Sequence, residues 1–513
     1  MRTTIRRIAC VAILAWAAAA TAASPPPATP LKVQWAYSSD AGKTFTDQPP
    51  AADKAPVYGR ATFEIDDPAA VGMLWFATKV ADGVITPVNN YVVGGRYISN
   101  PLILEEAVFT VNGKAAPPEI PGSNTLYLRW GVDPQLLKKG ANELLFRGRC
   151  LLRGVKTAEF QLTVSPPTAL ALRSGPALGP IGEDYFTLAC RTWIPCPLAV
   201  KVKPLEPAGA EQVHSFPRGT LHQVRVSLPK GTRKFRYSVL TGPAAGAKES
   251  AAYDVRVPDP AKGLKFVVMG QTAANTGPAG LSAAAKKILE LDPDFIIHTG
   301  SLVIYAYWDA VWDELFFSPL ADLLARKPMC VVPAYKDWYS QQFSWMFYHP
   351  TADGAWAPWS WACGPVRFVG VDGLSAAAQG PRFAEWFEGA LKDAKEDFLF
   401  EVTSYPAYTT LPFGRGQPGV EYDKTVLQPL LAKYRATASL GCAGKFEYIP
   451  PPVPASVPSI ITGGVGSPMS PGWTKYNFCV FTIKDGKCSY QALAYETGEV
   501  LDSRTFKPRP RNP

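Results

Sequence analysis

At 513 residues the chain is long for one domain and implies about three. With 47% hydrophobic residues, 50 Pro, 14 Trp and modest charge, it describes a folded, β-rich protein and not a disordered one. The formal charge of +9 is mild and its Lys and Arg are scattered, which argues against nucleic acid as a partner.

Residues 1–23 read as an export signal: Arg2, Arg6 and Arg7, an apolar run from Ile8 to Ala20, then the small residues Ala22 and Ala23. The run is too short to span a bilayer, and 24–30 is a Pro-rich linker. No later stretch reads as a transmembrane segment, so a secreted or periplasmic protein is expected. Eight cysteines remain after export, an even number for an oxidising compartment. Cys190 and Cys196 are close enough in sequence to be considered as a bridge. Cys479 and Cys488 are not, because a two-residue turn at Asp485-Gly486 pairs 483 with 488 and 479 with 492. Cys330 and Cys363 fall in apolar strands and read as buried thiols.

From 31 to 166, short β-rich runs alternate with turn signals: Phe63-Glu-Ile, Met73 to Ala77, Val108 to Lys114, Thr125 to Trp130 and Glu143 to Arg147. They predict a β-sandwich. The order of Val111-Asn-Gly-Lys and Leu136-Leu-Lys-Lys-Gly-Ala-Asn resembles the galactose-binding-like jelly rolls attached to secreted hydrolases. Ser38 to Phe45 fits an Asp-box hairpin, a turn device. Trp35, Trp75 and Trp130 are either core aromatics or sugar-stacking surfaces.

From 167 to 259 a second β-unit is expected, with strands at Tyr185 to Thr192, Leu198 to Val202, His222 to Leu228, Lys234 to Leu240 and Tyr253 to Val257. Gly175-Pro-Ala-Leu and Leu228-Pro-Lys-Gly-Thr resemble the fibronectin type III-like β-sandwich that precedes the catalytic domain of purple acid phosphatases.

The third unit, 262–508, opens on Leu264-Lys-Phe-Val-Val-Met-Gly-Gln-Thr, a helical Leu281 to Leu291 and Asp294-Phe-Ile-Ile-His-Thr-Gly-Ser. Two apolar runs ending in Gly around a periodic helix make a strand-helix-strand unit with both strand tips on one side. Helical patterns follow near Trp308 to Arg326, Trp338 to Tyr348, Arg382 to Lys395 and Tyr422 to Arg435. Strands follow at Met329, Val366, Phe398, Ala438 and Ile460, with closing hairpins from Tyr476 to Phe506.

With Val331 to Asp337, Val402 to Tyr408, Leu440 to Glu447 and Ile460 to Gly466 in order, this unit resembles the calcineurin-like metallophosphoesterases, in the branch similar to purple acid phosphatases. The resemblance implies an α/β four-layer sandwich, two sheets face to face with helices outside, and a two-metal site at the strand tips. At the positions matched to the family's ligands this chain carries Gln271, Ala273, Ser301, Tyr335, Ser404, Cys442 and Gly444, with Lys336 at the catalytic histidine. Asp337 alone keeps a carboxylate, at a position that is not usually a direct ligand.

A two-metal site holds cations roughly 3.5–4 Å apart, and their repulsion requires anionic ligands between them. Ser301 supplies no bridging carboxylate, Gln271 is neutral, Cys442 is a soft ligand with no partner beside it, and Lys336 brings a cation. The chain has only four histidines, and of these only His298 lies near a tip, three residues before Ser301. No metal cofactor is expected, and Asp372 is the one further carboxylate near the tips. Gln271, Ser301, Tyr335, Lys336, Ser404, Tyr408 and Cys442 would instead converge on a neutral, hydrogen-bonding cleft. The expectation is an inactive pseudo-phosphatase with a binding or assembly role, its partner a glycan, an anion or an envelope protein. Two alternatives stay open: a phosphoesterase with an unorthodox metal site, and a glycan-binding module in the N-terminal sandwich.

Overall fold

The computed structural model describes residues 29–510 other than 39–41, 48–55, 81–90, 94–95, 99–103, 117–119, 124–126, 151–157, 168–171, 243–246, 274–276, 304–311, 335–336, 338–342, 344–345, 348–357, 412–415, 466–472 and 474. The export signal and all but the last two residues of the expected linker lie outside them. Those two, Thr29 and Pro30, are not linker: they form an edge strand paired with Val164 and Thr163, a position where proline's missing N–H costs no ladder bond.

Two antiparallel five-stranded sheets build residues 29–165. Side chains of both sheets, among them Phe63, Leu74, Phe76, Phe109, Leu144, Phe146 and Leu162, meet in one core. Asn112 and Gly113, at φ 51° and 75°, form the two-residue hairpin expected of an Asn-Gly pair. Asn112 Nδ2 donates to Leu136 O and Asn142 Oδ1, both at 2.9 Å, so the two turn stretches singled out in the sequence are bonded to each other. Trp35 packs against Phe76, Phe146 and Phe160, and Trp75 is 1% exposed with its indole N–H on Ser165 Oγ at 2.8 Å. Trp75 is thus a core residue, and Trp35 is half-buried against the same core. The side chain of Trp130 lies outside the described residues.

Residues 172–256 form one six-stranded antiparallel sheet. The expected strands at Tyr185 and Leu198 are a single strand, Tyr185–Glu206, whose register shifts between Arg191 and Leu198. Pro195 and Pro197 lack the N–H groups that a continuous ladder needs, and the chain bulges there instead of stopping. Cys190 and Cys196 flank this bulge as separate buried thiols, not as a bridge. Arg173 Nε meets Asp313 Oδ2 at 2.8 Å, with both side chains buried, and Tyr237 Oη donates to Ala325 O at 2.8 Å. These bonds tie this sheet to the next unit.

Residues 264–506 hold two mixed six-stranded sheets. The first runs in the order Met329–Val331, Phe295–His298, Leu264–Met269, Asn477–Lys484, Lys487–Ala494, Val500–Phe506. The second runs Trp359–Cys363, Val366–Val371, Phe398–Thr403, Ala438–Cys442, Ser459–Thr462, Glu447–Ile449. Phe266, Phe295, Phe368, Phe400 and Phe481 fill the space between them. The Gly277–Leu291 helix buries Leu281, Ala284, Ala285 and Ile288 on the outer face of the first sheet, the spacing of one helical stripe. Asp292 at φ 48° and Pro293 end it. Phe383, Phe387, Leu391, Leu427 and Leu431 cover the outer face of the second sheet. The layers are helix, sheet, sheet, helix. Cys479 pairs with Ala492 and Ile483 with Cys488, the register that Asp485-Gly486 dictates, and Cys330 and Cys363 are buried thiols. Among the described residues no helix is long and apolar enough to cross a membrane.

Candidate functional site

The parallel strands Leu264–Met269, Phe295–His298 and Met329–Val331 end side by side, and the tips are bonded through their main chains. Gln271 N–H donates to Gly300 O at 3.0 Å and Ala273 N–H to Ser301 O at 2.9 Å. Gln271 and Ser301 take φ 49° and 56°, the left-handed region that costs an L-residue roughly 1–2 kcal/mol. If the Ser301 side chain serves no ligand, Ser301→Gly leaves stability unchanged or raises it by about 0.5–1 kcal/mol in urea unfolding. A loss of more than 1 kcal/mol would show that the hydroxyl is held by something.

Asp337 is fully buried, and main-chain donors occupy its carboxylate. Leu302 N–H reaches Oδ1 at 2.9 Å and Ala334 N–H reaches Oδ2 at 3.0 Å. Burial lifts its pKa to about 7 against the pull of these N–H groups. It staples the second tip to the third. The remaining tip carboxylate, Asp372, accepts from Ser375 Oγ at 2.5 Å, and its main-chain carbonyl accepts Ala376 N–H at 2.8 Å at the start of the Gly373–Gln379 helix.

His298 is also fully buried. Its Nδ1 accepts Gly300 N–H at 3.1 Å, and its Nε2 lies 3.1 Å from Thr272 Oγ1, which itself donates to Leu302 O at 2.8 Å. The hydroxyl has one hydrogen, so Nε2 carries the imidazole proton and donates it to Thr272. Both ring nitrogens are engaged in holding the tips, and burial depresses the pKa to about 3.

The signs of these two shifts oppose each other. Asp337 binds a proton on folding between about pH 4 and 7, stability that is lost as pH rises through 7. His298 gives one up between pH 6.5 and 3, stability that is lost as pH falls. Asp337→Asn removes the first effect and sets an amide N–H₂ against a main-chain N–H. The variant loses about 1–3 kcal/mol at pH 7. Relative to wild type it then loses roughly 1.4 kcal/mol more for each pH unit below 6. Denaturant unfolding at pH 5 and pH 7 checks this, and parallel pH profiles for the two proteins would contradict it.

The other tip residues are spent on packing. Ser404 Oγ donates to Pro333 O at 2.8 Å, and Cys442 Sγ lies 3.3 Å from Thr299 O with its pKa pushed up to about 12 by burial. A Cβ on Gly270 would stand 2.2 Å from Thr299 Oγ1 and 2.6 Å from Cys442 Cβ. One on Gly300 would stand 2.8 Å from Ser404 Cβ and 3.1 Å from Ala334 Cβ, and one on Gly464 would stand 3.0 Å from Gln271 Cβ. The tips therefore press on one another, and Ser404 and Cys442 are buried between them. Ala273 is buried, Gly444 is half-buried, and Tyr408 is half-buried with its phenol beside Ser456. Tyr335 and Lys336 lie outside the described residues.

This donor set does not fit a pair of metal ions. Gln271 and Ser301 are neutral, Ala273 and Gly444 have no donor side chain, Cys442 is a single soft donor, and the Asp337 carboxylate accepts main-chain N–H groups. Among the described residues no three His, Cys, Asp or Glu side chains gather to hold a metal ion. Sequence reasoning missed Thr272 and Thr299, because nothing in their spacing announces a bond to a neighbouring tip.

No protein-family model and no curated protein sequence matches the chain. Among solved structures, it is similar to a purple acid phosphatase from yellow lupin (Lupinus luteus) seeds at 13% identity, covering 88% of this chain and 93% of that one, with a TM-score of 0.55. It also aligns with PhoD at 9% identity over 67% of this chain and 90% of that one, TM-score 0.48. A third match is GAP50, the anchor in the inner membrane complex of Plasmodium, at 18% identity over 49% and 90%, TM-score 0.39. With its two facing sheets, outer helices and converging strand tips, the chain has the metallophosphoesterase fold in the form taken by purple acid phosphatase.

Proposed function

We propose that the chain is an exported protein that keeps a phosphoesterase scaffold without phosphoester chemistry and serves in binding or assembly outside the cytoplasm. The observation that carries this reading is the contact among the tips. Gly270 and Gly300 leave no room for even a methyl group beside Thr299, Cys442 and Ser404, where the fold would otherwise present metal ligands. Phosphoester hydrolysis in this fold relies on metal charge to activate water and neutralise the phosphoryl oxygens. The described residues at the matched positions supply neither the ligands nor a substitute pair of nucleophile and base. Burial pushes the Cys442 thiol up to about 12, and both nitrogens of the His298 imidazole are engaged in holding the tips.

Hydrolysis of a generic phosphomonoester, measured with iron, zinc or manganese added in turn, tests this directly. The expected rate is that of buffer plus metal. Turnover that rises with one metal and saturates with substrate would overturn the proposal and point to ligands outside the matched positions.

A further inference from the structure

On the outer face of the second sheet, away from the strand-tip core, a row of oxygen atoms crosses three neighbouring strands. Glu401 stands in register with Ser439, and Ser439 with Ser459. Register partners in parallel strands share a face. Leu399, two residues before Glu401, packs among Phe387, Leu427 and Leu431, so the row points at the helices. Asp423, from the segment joining the Pro418–Tyr422 and Gln428–Lys433 helices, comes down onto it. Asp423 Oδ2 accepts Ala407 N–H at 3.0 Å, and its Oδ1 lies 3.4 Å from Gln428 Nε2.

All four side chains are at most 1% exposed. Neither carboxylate oxygen of Glu401 and neither hydroxyl of Ser439 or Ser459 makes a well-formed hydrogen bond, although Ser439 lies close enough to Glu401 to favour its charged form. Burial and the charge of Glu401 both push the Asp423 carboxyl upward, and burial does the same to Glu401, with Ser439 opposing it. No Lys, Arg or His contributes to either shift. Two buried carboxyls therefore lie beside each other, with Ser439 in register next to Glu401 and Ser459 one strand further along the row, and no cation contributes to either shift, an arrangement that is costly to bury unless something satisfies it.

We propose that these residues form a structural site for a hard divalent cation of the calcium or magnesium class, held by the Glu401 and Asp423 carboxylates and the Ser439 and Ser459 hydroxyls. Two carboxylates balance one divalent charge, and an all-oxygen donor set without imidazole or thiolate selects calcium or magnesium over zinc, copper or iron. The ion would pin the helices to the sheet at a point where apolar packing is interrupted. The site shares no residue with the matched phosphoesterase positions and does not depend on whether the chain hydrolyses phosphoesters.

The test is elemental analysis of the full mature protein for calcium and magnesium, with thermal unfolding after chelation and after adding back each ion. The expected result is about one divalent ion per chain and a midpoint that rises by about 5 °C at an ion concentration well above Kd. Glu401→Gln abolishes the response. Ser459→Ala, which keeps both charges, weakens ion binding by about tenfold. An unfolding midpoint that is the same in chelator, calcium and magnesium, with Glu401→Gln as stable as wild type or more so, would overturn the proposal. It would mean that the carboxyls are neutralised by protons.

Discussion

Gly300→Ala lowers the unfolding free energy by about 3 kcal/mol or more. At φ 97° an alanine is strained whatever space is available. Its Cβ would also stand 2.8 Å from Ser404 Cβ, 3.1 Å from Ala334 Cβ and 3.1 Å from Val332 O, so three tips must separate to admit it. Because these tips also carry the Asp337 staple, the displacement spreads to the Leu302 and Ala334 bonds. Urea unfolding at pH 7 measures the loss. A cost below 1 kcal/mol would mean that the tips have slack, and with it room for a ligand.

The second large effect lies between the middle sheet and the phosphoesterase-like unit. Arg173 and Asp313 are 5% and 8% exposed at their side chains, and Arg173 also lies over the Trp193 ring at 4.3 Å. Arg173→Met takes a buried cation away from the Asp313 carboxylate and costs roughly 3–5 kcal/mol, most of it the penalty of burying that charge with its cation gone. Arg173→Met combined with Asp313→Leu recovers most of that loss, because the carboxylate is then removed together with its cation. A double variant as unstable as the sum of its parts would show that the pair acts through packing and not through charge.

Much of the third unit was legible because its strands are buried on both faces. Phe266 to Met269 and Phe295 to His298 read as unbroken apolar runs, and the Leu281, Ala284, Ala285, Ile288 stripe could only be a helix laid on a sheet. The hairpin turns were equally plain, since Asn112-Gly113 and Asp485-Gly486 occupy the positive-φ positions their residue types favour. The bulged Tyr185–Glu206 strand was hidden because two prolines that usually end a strand instead mark a shift in register. The tip contacts were hidden for a different reason. That Ser404 bonds Pro333 O and Cys442 approaches Thr299 O depends on how close the two sheets stand, a tertiary distance that no local pattern encodes. The Glu401 row escaped notice because its members are 38 and 20 residues apart in sequence and meet only through strand register.

The most direct test of the central claim, that the strand tips hold no metal pair, is elemental analysis of the purified mature protein for iron, zinc and manganese. Less than about one-tenth of an equivalent of each is expected. Calcium or magnesium that disappears with Glu401→Gln leaves that prediction intact, because it belongs to the other face of the sheet. One or two equivalents of iron, zinc or manganese per chain, retained through dialysis, would contradict it.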